Sequence, residues 1–167
     1  MAAGNTYEPI ATTTFAGSSS SVTFSSIPST YTDLIIVASL SFTAATDTVF
    51  LRFNGDTASN YNFIYFKGNG TTATTASITN TTGVYEQGNP STNTSNFNVY
   101  KYEINSYANT NKYKAVLWQG SQADAQVSLH LGQWRSTAAI NSITILEASA
   151  YNFRSGSTIS LYGIKAA

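Results

Sequence analysis

The sequence contains no cysteine and little charge. With 0 cysteines among 167 residues, disulfide bonds and thiolate chemistry are excluded, so stability must come from packing or self-association. Only 10% of the residues are charged, against about 25% in an ordinary soluble domain, and the formal net charge is +0. This balance argues against nucleic acid as a partner. A neutral surface has little self-repulsion, which favours a protein that works inside an assembly.

Long apolar runs are also missing. The longest, residues 34–38 (LIIVA), is far shorter than the roughly 20 residues of a transmembrane helix, so no membrane association is expected. The first residues (MAAGNTYE) have no basic stretch followed by an apolar one, so a secretory signal is not expected either. Helical periodicity is nowhere sustained, which disfavours helical folds.

What the sequence does contain is alternation of apolar and polar residues in short segments, bounded by Gly, Pro, Asn and Ser. The polar residues are mostly Ser, Thr and Asn, which favour strands or turns over helix interiors. The segments predict strands over residues 10–15, 20–27, 33–42, 48–53, 62–67, 77–79, 97–106, 112–119, 126–134, 140–147 and 158–165. Residues 69–96 are rich in Thr, Asn and Gly, and we expect them to form one or two surface loops around a short strand.

These strands predict an all-β fold with two antiparallel sheets packed as a sandwich, most specifically a jelly roll. An immunoglobulin-like sandwich is the alternative, although its Cys and Trp landmarks are absent. Residues 10–167 are expected to form a single domain, and residues 1–9 an N-terminal arm that reaches a neighbouring subunit or surface.

Alternation also predicts which side chains fill the core. The assigned core residues are Val22, Phe24, Leu34, Ile36, Leu40, Leu51, Phe53, Ile64, Leu117, Val127, Leu129, Leu131, Ile143, Ile145, Ile159, Leu161 and Ile164. His130 lies between two of these leucines, so its side chain is expected to point away from the core, towards a partner or a surface hydrogen bond.

No catalytic residue, cofactor or metal ligand is predicted. His130 is the single histidine, the carboxylates are scattered singly, and no nucleophile elbow is present. A triad of serine, histidine and acid stays open, because such triads are recognised by geometry. Asp56 beside Asn54 could offer oxygens to a calcium ion, but no run of alternating donors accompanies the pair.

Aromatic residues supply the candidate binding surface, because Trp and Tyr carry much of the binding energy at protein interfaces. The candidate interface residues are Tyr7, Tyr85, Trp118, His130 and Trp134. The alternative use of such rings is to stack on sugars.

Three segments carry a resemblance to a known group. VTFSSIPSTYTDLIIVASL (residues 22–40), LRFNGDTASNYNF (51–63) and SGSTISLYGIK (155–165) together resemble small bacteriophage and cyanophage virion proteins. That group is similar to capsid decoration (cement) proteins and to tail-fibre modules, with β-sandwich folds and frequent trimers.

The resemblance implies a non-enzymatic virion protein. Its partners would be the major capsid protein and itself, as a homotrimer on the capsid surface, assembled in the host cytoplasm. The alternative is a tail-associated module that binds a fibre partner, a receptor or a glycan, in part through the loops of residues 69–96.

Overall fold

The computed structural model describes residues 6–44, 48–86, 96–122, 126–149 and 151–165. These residues form twelve strands, and none of them is helical. The strands are β1 (Tyr7–Thr14), β2 (Ser21–Phe24), β3 (Asp33–Leu40), β4 (Val49–Phe53), β5 (Tyr61–Gly68), β6 (Ala73–Thr81), β7 (Val84–Tyr85), β8 (Asn98–Asn105), β9 (Lys114–Gln122), β10 (Gln126–Trp134), β11 (Ile143–Glu147) and β12 (Thr158–Ile164).

The strands form two antiparallel sheets, so the predicted all-β, two-sheet architecture is confirmed. The large sheet has eight strands in the order β1-β12-β3-β8-β9-β10-β5-β6, and the small sheet has four in the order β2-β11-β4-β7. Four of the pairs are nested along the chain: β1 with β12, β2 with β11, β3 with β8, and β4 with β7. The remaining strands, β9, β10, β5 and β6, extend the large sheet beyond β8.

Two predictions about the segments need correction. The surface loops expected over residues 69–96 contain the nine-residue strand β6, because threonine is a good strand former and an edge strand needs only one half-buried face. The N-terminal arm was expected to run to residue 9, but β1 begins at Tyr7 and pairs with β12 from that residue. Residues 1–5 of the arm lie outside the described residues.

The core lies between the two sheets. Leu34, Ile36, Leu40, Leu51 and Phe53 are fully buried there, as predicted. Four other assignments are wrong, because the side chains of Ile64, Val127, Leu129 and Leu131 point outward and are exposed. Their strands, β5 and β10, carry bulky side chains on both faces, and the sandwich buries the aromatic and histidine rings instead. Val22, Leu117 and Ile164 are half-buried.

One glycine in β12 leaves room for an aromatic ring. The ring of Tyr31 packs directly on Gly163, where an added Cβ would overlap it. We therefore expect Gly163→Ala to lower the free energy of unfolding by about 1 to 3 kcal/mol, since Tyr31 must move aside. Urea denaturation measures the loss. Gly68→Ala in β5 is the matched control, because its added Cβ would make only an ordinary contact; equal losses for the two variants would contradict the prediction.

Candidate functional site

A buried polar cluster joins the two sheets beside the end of β7. Glu86 follows β7 and is held by its backbone N–H, which donates to the carbonyl of Val49 (3.2 Å). Ser128 and His130 occupy inward positions of β10. The Ser128 hydroxyl donates to Glu86 Oε1 (2.8 Å), and His130 Nε2 lies 2.8 Å from Glu86 Oε2. A carboxylate of the small sheet therefore bridges two side chains of the large sheet.

The geometry of this cluster differs from that of a catalytic triad. In a triad the imidazole stands between the hydroxyl and the acid, whereas here the carboxylate of Glu86 stands between Ser128 and His130. The His130 ring is also stacked on the indole of Trp118, with centroids 4.5 Å apart, and both rings are fully buried. The cluster therefore lies inside the sandwich, where it can fix the spacing of the sheets.

Further polar side chains line the same part of the interior. Burial raises the pKa of the Tyr100 phenol well above its usual range, and the charge of Glu86 raises it further. The side chains of Gln122 and Asn98 face this hydroxyl and oppose the rise, although none of these atoms makes a hydrogen bond of good geometry within the described residues. Burial likewise raises the pKa of Tyr102. Both phenols are therefore neutral at physiological pH.

Asp56 has a structural environment that accounts for its oxygens. Partial burial opposes its ionisation, but hydrogen bonds from Asn60, Trp134 and the backbone of Ala58 outweigh that effect and lower the pKa of Asp56. The indole N–H of Trp134 donates to Asp56 Oδ2 at 2.7 Å. No group of three or more potential metal-ligating side chains occurs in the part of the chain that the structure describes. Asp56 thus anchors the end of β10.

The predicted interface residues fall into two groups. Tyr7 is 58% exposed on the edge strand β1, and Tyr85 is half-buried between Phe50 and Phe63. Trp118, His130 and Trp134 lie in the interior, so their placement at an interface, or under a sugar ring, needs correction. Trp118 stacks on His130 and Trp134 packs against Phe53, so these rings form part of the core.

The exposed surface that sequence reasoning missed is the outer side of the large sheet. It consists of Ile64, Phe66, Leu117, Val127, Leu129 and Leu131, and we call it the apolar face. Leu131 lies opposite Ile64 on one side and Leu117 on the other, and Leu129 lies opposite Phe66, so these side chains are contiguous. The exposed fractions reach 62% for Val127 and 53% for Phe66.

The apolar face carries no charge. The other outward positions of β5, β9 and β10 hold Asn, Gln, Ser, Ala and Gly. Charged side chains border the face: Lys67 lines its depression, and Glu103 of β8, paired with Lys101, lies opposite Leu117. A shallow depression lies between Phe66, Val127 and Leu129. Contiguous apolar surface of this kind is uncommon on monomeric proteins and marks interaction sites. In the sequence, β5 and β10 carry large side chains at both odd and even positions, and this pattern indicates that both faces of these strands are covered by protein.

Comparison with known proteins adds little. No protein-family model matches the chain, and no curated protein matches it. A solved structure of a protein of unknown function from Shewanella oneidensis MR-1 aligns over 100% of this chain and 82% of its own, with 10% identity and a TM-score of 0.23. A likeness this weak carries no argument about fold or function. Among the described residues there is no helix that is long and apolar enough to cross a membrane.

Proposed function

We propose that this protein is a non-enzymatic structural protein of a phage virion, a capsid decoration (cement) protein that binds the major capsid protein. The observation that carries the proposal is the apolar face, a contiguous uncharged surface that remains exposed in the single chain. The resemblance of residues 22–40, 51–63 and 155–165 to virion proteins supplies the setting, which is the capsid surface after assembly in the host cytoplasm.

We also propose that the sandwich is a jelly roll with two inserted hairpins. When β5, β6, β9 and β10 are set aside, the remaining strands form two four-stranded sheets, β1-β12-β3-β8 and β2-β11-β4-β7. Four nested antiparallel pairs divided between two sheets in this way are the arrangement expected of a rolled-up hairpin. This supports the jelly roll over the immunoglobulin-like alternative, and the two insertions then create β5, β9 and β10, on which the apolar face lies.

The function of the apolar face is adhesion. Burying apolar surface stabilises a contact by about 25 cal/mol per Å², of which only part appears as affinity. Because the six side chains of the face are apolar and charged residues lie only at its border, the matching capsid surface should be largely apolar, and binding should depend only weakly on salt. A protein held across neighbouring capsid subunits by such contacts would resist opening of the shell.

The structure buries most of the aromatic rings with which a tail-associated module was expected to bind a sugar. It invoked Trp118, Trp134 and Tyr85 as rings that could stack on a glycan. The two tryptophans lie inside the sandwich, and Tyr85 packs against Phe50 and Phe63. We therefore advance the decoration function alone and use the tail position as an outcome of the test.

The test uses capsid particles that lack this protein. Purified wild-type protein or a purified variant is added to them, and binding and the release of DNA on heating are measured. Wild-type protein is expected to bind and to delay the release of DNA on heating, whereas Leu129→Asp/Leu131→Asp should neither bind nor protect, since it places two charges on the apolar face. The variant should lose about 2 kcal/mol of stability, because both side chains are about half exposed and aspartate disfavours strands, and circular dichroism checks that it is folded. DNA release is followed with an intercalating dye.

Thr23→Asp is the control for this test, because Thr23 is an exposed strand residue on the outer side of the small sheet. It should bind and protect like the wild-type protein. Particles that keep full heat stability without the protein, but fail to adsorb to host cells, would overturn the decoration function in favour of the tail position.

A further inference from the structure

The two sheets have four edge strands, and one of them differs from the rest. The edges of the large sheet are β1 and β6, and those of the small sheet are β2 and β7. β2 has four residues and β7 has two, so neither offers a long edge. β1 carries Pro9 and a bulge between Pro9 and Ala11, both of which hinder further pairing.

The edge strand β6 has no proline, and its one irregularity comes after Ile78, near its end. It is nine residues long, ATTASITNT, with neither proline nor a charged side chain, and most of its residues are exposed. It pairs regularly with β5 from Ala73 to Ile78 before the register shifts. Within the described residues no strand pairs with its other side. Such an edge presents a row of N–H and C=O groups suited to pairing with another extended chain.

We infer that the free edge of β6 pairs antiparallel with β6 of a second copy of this chain, which joins two large sheets into one continuous sheet. The composition of β6 favours its own copy, because strands of Thr, Ser and Ala meet without like charges, and opposed threonines and serines can hydrogen-bond across the pair. An antiparallel pair of identical strands has two-fold symmetry and closes at two subunits.

The pair also has a geometric consequence for the apolar face. The two-fold axis of an antiparallel strand pair is perpendicular to the sheet, so the apolar faces of both copies lie on the same side. Ile64 and Phe66 are on β5, next to β6, so only the two β6 strands separate the two faces. The inference does not depend on the proposed function, although such a pair would bind a capsid at two points at once.

Single cysteines provide the first test, since the wild-type chain has 0 cysteines and any disulfide reports on the introduced residue. Cysteine is placed in turn at positions 74, 75, 76, 77 and 78, and the purified full chain is oxidised. Residues opposite each other in an antiparallel pair have Cα atoms about 4.5 to 5.5 Å apart, which a disulfide can span. We expect a cross-linked dimer at the position nearest the two-fold axis and none with Thr12→Cys on β1.

Charge exchange provides the second test. The outward residues Thr75 and Ser77 are replaced together, by lysine in one variant and by glutamate in the other. Each variant alone should dimerise at least about tenfold more weakly than the wild-type protein, because like charges lie opposite each other. A mixture of the two should recover dimers. Thr12→Lys/Thr14→Lys on β1 is the matched control and should dimerise normally.

Sedimentation velocity and circular dichroism give the readouts, the latter to confirm that each variant is folded. A wild-type chain that stays monomeric at every soluble concentration would overturn the inference. So would a dimer that the β6 substitutions leave unchanged, or the homotrimer that the sequence resemblance implies. None of these results requires capsids, so the inference can fail while the decoration function stands, and the reverse.

Discussion

Replacing Ile36 with alanine is expected to lower the free energy of unfolding by about 2 to 5 kcal/mol. Ile36 is 0% exposed, and β3, which carries it, lies between β12 and β8 in the large sheet. Removal of its side chain leaves a cavity that neighbouring strands, fixed by their hydrogen bonds, cannot close. Urea denaturation followed by tryptophan fluorescence measures the loss, since both tryptophans are buried.

Leu129→Ala is the matched comparison for Ile36→Ala. Both side chains are aliphatic, of the same size, and in the middle of long strands of the same sheet, but Leu129 is 45% exposed. We expect its replacement to cost about 1 kcal/mol or less, because much of the removed surface is already in water. Similar losses for the two variants would mean that the inner and outer faces of β10 are assigned the wrong way round.

Replacing Glu86 with alanine is expected to lower the free energy of unfolding by about 3 to 5 kcal/mol. The carboxylate accepts from Ser128 and lies against His130, and all three side chains are buried. Its removal leaves a hydroxyl and an imidazole without the oxygens that face them, and such unmet polar groups are costly in a dry interior. Glu86→Gln keeps the shape and an acceptor oxygen, so we expect a smaller loss.

A double-mutant cycle separates the pair from its surroundings. In Glu86→Leu/His130→Leu both polar groups are replaced by apolar ones, so the double variant should be more stable than the sum of the two single losses implies. Thermal and urea unfolding of the four proteins give the coupling energy. Losses that simply add would mean that Glu86 and His130 do not act as a pair.

The strands could be predicted from the sequence because the alternation of apolar and polar residues and the residues typical of turns are local signals. The turn at Asn54 and Gly55 illustrates this, since asparagine and glycine are the residues that tolerate positive φ, and both adopt it here (52° and 68°). Which strand pairs with which could not be predicted in the same way. Tyr7 pairs with Ile164, and no local pattern specifies a partner so far along the chain.

The two faces of β10 show where alternation stops being informative. A period of two separates Leu129 and Leu131 from Ser128 and His130, but it does not say which set is buried. The leucines are more hydrophobic, which led to the wrong prediction. The structure buries His130 because Glu86, over 40 residues away along the chain, supplies the opposing carboxylate, and because Trp118 stacks on its ring.

The apolar face could not be predicted for a related reason. An apolar strand residue is expected to be buried when the sheet is covered, and whether it is covered depends on the number of strands in each sheet. Here eight strands face four, and the outer side of the large sheet has no further layer among the described residues. Leu117 and Leu131 were therefore predicted to be core residues, although they lie on the outer side of the large sheet.

The nested order of the strand pairs also determines when this protein can fold during its synthesis. β1 pairs with β12, and β2 pairs with β11. Both N-terminal strands are therefore synthesised long before the strands with which they pair. Among strands that follow each other in the chain, β5 with β6, β8 with β9, and β9 with β10 can pair in the order in which they are made. A chain dominated by such distant pairings folds slowly, and its first two strands remain unpaired until β11 and β12 have been made.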